Sequence, residues 1–145
     1  MQWIREKYLV TTDAAKVDID LVHRFLSGES YWAEGITRET VARSVQHSIC
    51  FSVLYEDALV GFARVTSDHA TFAYVGDVFV LPAHRGKGLA AWLMECITDH
   101  PQLRGLRRWM LASADAHGLY TKFGFAPLKA PERWLEKHAV DVYKK

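Results

Sequence analysis

An α/β (α+β) domain, with helices flanking one central mixed and mostly antiparallel sheet, is predicted by three features of the chain. Apolar runs separated by short turns lie between Ile49 and Leu81, the period changes from two to about 3.6 residues after Gly86, and strand then alternates with helix once more up to Phe125. Closely spaced strands form an antiparallel meander. The strand–helix–strand–helix unit after it completes the sheet.

Each element has its own local signal. Tyr8–Thr11 reads as a short first strand. From Val17, the residues Ile19, Val22 and Leu26 recur at helical spacing, and Gly28 offers a stop. Ser30–Thr37, SYWAEGIT, is an aromatic, irregular connector, and Thr37 caps a second helix through Val41 and Val45. Ile49–Tyr55, Leu59–Thr66 and Phe72–Leu81 are strands, turned at Glu56–Ala58 and Ser67–His69. In the third strand, alternation puts Phe72, Tyr74, Gly76, Val78 and Val80 on one face. Ala73, Val75, Asp77, Phe79 and Leu81 fall on the other. Both faces are apolar apart from Asp77, as in a strand covered on both sides. Gly76 marks a bulge, a close approach of a ligand, or only a small residue packed beside a helix.

Leu89, Leu93 and Ile97 form the stripe of a helix that ends at His100 and Pro101. Arg107–Ala112 returns to strand, and Ala114–Phe123 is a short helix closed by Gly124. Phe125 begins another short strand, and Val140–Tyr143 reads as the last.

At 145 residues the chain is read as a single domain spanning 1–145. Its net charge of +1 points neither to nucleic acid nor to an anionic membrane. Cys50 and Cys96 form no CxxC pair, and the seven histidines show no ligand spacing, so no metal is expected. The start lacks a secretory h-region and no apolar run approaches ~20 residues, which places the domain in the cytoplasm. Arg104, Arg107 and Arg108 form a small basic patch, read as a solvated face or a contact for a coenzyme phosphate.

HRGKGLAAWL, His84–Leu93, joins the third strand of the meander to its helix. Residues at a helix start have unpartnered N–H groups. Gly86 and Gly88 leave those groups open, while Arg85 and Lys87 add charge to the positive end of the helix dipole. Such a junction holds phosphate. The ATP-type loop is excluded because Gly88 follows Lys87 where a hydroxyl is needed, and GxGxxG fails at Ala91.

R-G-K-G-L-A resembles the pyrophosphate-loop pattern Arg/Gln-x-x-Gly-x-Gly/Ala of the GNAT N-acetyltransferases. SADAHGLYTKFGF, Ser113–Phe125, resembles a second block of that family, with Ala116, Tyr120, Gly124 and Phe125 in register. The resemblance runs from about Ile49 to Phe125. It implies a GNAT fold with acetyl-coenzyme A as co-substrate and no metal. The coenzyme-binding set would be Val78, Phe79, Val80, Arg85, Gly86, Lys87, Gly88, Leu89, Ala90, Ser113 and Tyr120. Backbone groups of Val78 and Val80 would bond the pantetheine and the thioester carbonyl, and Gly76 would be the bulge that opens the sheet. Ser113 stands where the family commonly has asparagine.

Acetyl transfer needs two reactants held together, a stabilised oxyanion and a proton for the leaving thiolate. Tyr120 matches the family's general acid. Asp77 is the best-placed carboxylate for the acceptor amine, as base, through water or by attraction, with a structural hydrogen bond as the alternative role. Tyr31, Trp32 and Glu34 fall in the connector that shapes the acceptor site in relatives, and Trp134 could close it. The expected reaction is direct transfer of acetyl to a primary amine of a small molecule in a ternary complex. A non-catalytic acyl-coenzyme A sensor, a nucleotide-binding domain and acetylation of a protein amine are the alternatives. A homodimer is common among relatives.

Overall fold

The computed structural model describes residues 1–144. Six strands form one sheet in sequence order: β1 (Gln2–Arg5), β2 (Tyr8–Thr11), β3 (Ile49–Tyr55), β4 (Ala58–Ser67), β5 (Phe72–Val80) and β6 (Arg108–Leu111). All neighbours are antiparallel except β5 and β6, which are parallel. The parallel pair follows from the crossover through α3 (Leu89–Asp99), since a parallel return needs a long connection. Between β2 and β3 lie α1 (Ile19–Gly28) and α2 (Arg38–Gln46), and α4 (His117–Thr121) follows β6.

Capping defines the first two helices. Asp18 accepts from the Leu21 amide and Thr37 from the Thr40 amide, each satisfying an otherwise free N–H at a gain of about 1 kcal/mol. Their buried faces, Val22, Phe25, Leu26 and Val41, pack on one side of the sheet with Leu54, Phe62 and Phe79. On the other side Leu89, Trp92, Leu93 and Ile97 of α3 pack with Phe51, Val53, Ala63, Val65 and Val75.

The central strand departs from simple alternation. Phe62 pairs with Phe79 but Arg64 pairs with Gly76, so Asp77 and Val78 together oppose Ala63. Asp77 takes the left-handed conformation at φ +53°, whereas Gly76 is not among the residues with positive φ. The bulge therefore sits at Asp77 and Val78 instead of Gly76. One extra residue reverses the faces beyond it. Ala73, Val75, Val78 and Val80 all lie in the α3 cluster, while Phe79 and Leu81 lie with α1 and α2. The strict alternation read from the sequence is overturned at that point.

Other differences are at the ends. β1 was not anticipated; it is held by Trp3, whose Nε1 donates to Asp99 Oδ2 at 3.1 Å and whose ring lies 6.1 Å from Phe51. The first helix starts at Ile19 instead of Val17, and α4 is shorter than the expected Ala114–Phe123. Neither Phe125 nor Val140–Tyr143 is a strand. Pro127 and Pro131 remove ladder donors after Phe125. Val140–Tyr143 closes as turns, with the Val142 amide on Ala139 O and the Lys144 amide on Asp141 O. That terminal turn packs against the connector, where a Cβ on Gly35 (φ +84°) would come within 2.9 Å of Tyr143 O.

Candidate active site

Pairing between β5 and β6 covers only Phe72–Val75 with Arg108–Leu111, and β5 then runs on to Val80 paired with β4 alone. The two strands part beside the bulge. The Leu81 amide donates to Val60 O at 2.8 Å, and Phe79 pairs with Phe62 two residues earlier. Backbone groups alternate in direction along a strand, so those of Val78 and Val80 point away from β4 into the split. Phe79 is turned the other way, its ring stacked 4.0 Å from Phe25.

The split ends at the glycine loop. Gly86 and Gly88 have φ of +78° and +75°, and nothing lies within 4 Å of where a Cβ would stand on either. Gly88 is the N-cap of α3 and offers no side chain to its free amides. Leu89 is buried and anchors the helix, Ala90 is partly buried, and Lys87 is exposed with no ion-pair partner among the described residues. Arg85 folds back, its Nε donating to Val80 O at 2.8 Å. It thereby ties the loop to the end of β5, and among the described residues its remaining guanidinium nitrogens have no hydrogen-bond partner. Tyr8 Oη and His84 Nδ1, 2.8 Å apart, brace the loop from the sheet side.

Tyr120 is 8% exposed. Its ring packs at 6.1 Å from Phe125. Burial pushes its phenol pKa up, and Tyr31 and the Asp115 carboxylate add to the shift. Ser52 Oγ is the only sealed side-chain polar atom without a partner among the described residues, so the Tyr120 hydroxyl, which has none either, opens to accessible space. A cavity of about 190 Å³ lies beside it, walled by Trp109, Leu111, His117 and Phe125 among others. Ser113 Oγ accepts from the Ala116 amide at 2.9 Å, so its side chain serves the start of α4.

The connector residues are brought to the same place. Tyr31 Oη accepts from the Ala114 amide at 3.1 Å, and its ring meets Trp32 edge-on at 5.0 Å. Trp32 Nε1 donates to Asp77 Oδ1 at 2.9 Å. Asp77 is thus bound to the connector on one oxygen, while its Oδ2 accepts from Arg64 Nε at 2.8 Å. Arg64 also reaches Ser48 and Thr66. Sequence reasoning missed Arg64, although a lone arginine in the run LVGFARVT matches the lone aspartate of the next strand. Glu34 is exposed and joins none of these contacts. Among the described residues no group of three or more His, Cys, Asp or Glu could hold a metal ion. No helix among them is long and apolar enough to cross a membrane.

A loop of open amides thus lies at the end of a split between parallel strands, with the connector bridging both sides. The acetyltransferase (GNAT) family model matches residues 19–125, well over half of the chain. The chain belongs to the GNAT family. It is 30% identical over 142 residues to a candidate acetyltransferase of Gibberella zeae, covering 83% of this chain and 79% of that protein. Among solved structures, a candidate GNAT acetyltransferase from Xanthomonas campestris pv. campestris is 47% identical. It superposes with a TM-score of 0.93 over 95% of this chain and 97% of the other. A candidate acetyltransferase from Clostridium acetobutylicum, solved with acetyl-coenzyme A, shares the fold with a TM-score of 0.65 at 16% identity, over 97% and 98% of the two chains. The GNAT sheet expected from the two sequence blocks is the sheet observed.

Proposed function

We propose that this GNAT protein transfers an acetyl group from acetyl-coenzyme A to a primary amine of a small molecule, directly and within a ternary complex. The parting of β5 from β6 at the Asp77 bulge carries the reading, because it leaves unpaired strand groups leading from the glycine loop to Tyr120. Free amides at Gly86–Ala90 suit the pyrophosphate, and the backbone groups of Val78 with the amide of Val80, whose carbonyl already accepts from Arg85, suit the amide-rich pantetheine as a missing strand would. Bound there, the coenzyme supplies the acetyl group as a thioester.

The protein's own groups then have defined tasks. Tyr120 holds a proton at Oη, which passes to the departing sulfur as the new carbon–nitrogen bond forms. An ionised carboxylate has about four acceptor positions, and Trp32 and Arg64 use two of those on Asp77. The others face the amine and orient it, and its surplus proton leaves through water. Tyr31 and Trp32 wall the acceptor side.

Coenzyme A release from acetyl-coenzyme A, followed against a panel of amines, tests the reading. Release with one class of small amine is expected. Tight binding with no release on any amine, peptide lysines included, would favour a sensor. The loop has its own test. Gly88→Val forces a β-branched residue into left-handed backbone, and acetyl-coenzyme A should bind roughly tenfold more weakly, as a strain of ~1–2 kcal/mol implies. Calorimetric titration measures it, with circular dichroism to check the fold.

A further inference from the structure

Three cations meet around one cavity at the far end of the sheet from the glycine loop. The cavity, about 540 Å³, lies between β6 and the segment after α4, and is lined by Arg108, Lys129, Ala130, Arg133 and Trp134. Among the described residues none of the three cations forms an ion pair. The chain as a whole is almost neutral, with 18 basic and 17 acidic side chains, so general basicity does not explain the cluster. Like charges gathered round a shared space repel one another unless an anion joins them.

All three cations are exposed, and Arg108 is also held in place. The amides of Arg107 and Arg108 both donate to Thr71 O, and the Arg108 guanidinium lies 4.7 Å from the centroid of the Trp134 ring. The backbone of Arg133 and Trp134 is fixed by the turn at Pro131, their amides donating hydrogen bonds of 3.0 and 3.1 Å to Ala130 O and Pro131 O. Stacking on Trp134 orients the planar Arg108 fork, the geometry that grips a carboxylate or phosphate by two bonds. The volume falls in the range of small-molecule sites.

This is not the coenzyme's phosphate site. Arg108 is opposite Phe72 at the start of β5, whereas the loop follows Val80, about 25 Å further along at ~3.3 Å per residue. We propose that Arg108, Lys129 and Arg133 bind the phosphate or carboxylate groups of an anionic small molecule, independently of the glycine loop. That anion is either an acid group of the acceptor or a separate effector.

Titration of the whole protein with inorganic pyrophosphate and with citrate tests this, with coenzyme A saturating the loop and sodium chloride matching ionic strength. Binding is expected to persist under saturating coenzyme A and to survive Lys87→Gln. Arg133→Gln and Lys129→Gln should each weaken it roughly tenfold, the effect of losing one charge-assisted hydrogen bond. Absence of binding above the chloride control, loss of binding on adding coenzyme A, or equal binding in all variants would overturn the proposal. Once a substrate amine is known, competition by citrate against that amine would assign the site to the acceptor's acid group. Non-competitive behaviour would assign it to an effector.

Discussion

Tyr120→Phe is expected to lower turnover by about two to four orders of magnitude, the usual contribution of a positioned general acid. Acetyl-coenzyme A affinity should stay within about twofold, because the substitution removes an interaction made in the transition state. The ring is buried and packed on Phe125, so phenylalanine keeps the packing and deletes only an oxygen with no partner among the described residues. Single-turnover rates and calorimetric titration separate the two effects, and unchanged turnover would move the proton's source to water. The pH profile adds a check. Burial places the Tyr120 pKa above the ordinary value near ~10, so its proton is retained across neutral and mildly alkaline pH. Loss of its proton should set no alkaline fall in activity below about pH 10.

Asp77→Ala is expected to destabilise the fold by about 2–4 kcal/mol. The Asp77 and Arg64 side chains are 12% and 24% exposed, so the change leaves a largely buried guanidinium uncompensated. Breaking a fully buried pair costs about 3–5 kcal/mol, and the water still reaching Arg64 reduces it here. Alanine would also keep a side chain at φ +53°, whereas Asp77→Gly should recover about 1 kcal/mol of backbone strain. Urea unfolding of Asp77→Ala, Arg64→Met and the double variant measures the coupling. A coupling near zero would reduce the pair to a surface contact. Both Asp77 variants also strip Trp32 of its acceptor, so the KM for the amine should rise while that for acetyl-coenzyme A barely moves.

Much of this site was legible because its signals are short. Gly86 and Gly88 next to Lys87 announce free amides within a few residues, and Tyr120 stands in a block read in one window. Caps at Thr37, the stripe Leu89–Leu93–Ile97 and the turns of the meander are all local energetics, in which neighbours along the chain decide the conformation. Tyr31 and Trp32 were placed near the acceptor, but what they touch, Ala114 and Asp77, lies 83 and 45 residues away.

The sequence by itself determined the order of strands and helices from β2 to α4, the loop at the end of β5 and the residue types that carry the chemistry. Only the tertiary structure decided where the sheet opens. A glycine was the local candidate for the bulge, yet the extra residue falls at Asp77, where Arg64 and Trp32 hold the carboxylate from two other elements. Left-handed backbone at an aspartate is unfavourable in isolation. It persists because contacts from β4 and from the connector outweigh it, and such contacts exist only once the chain has folded.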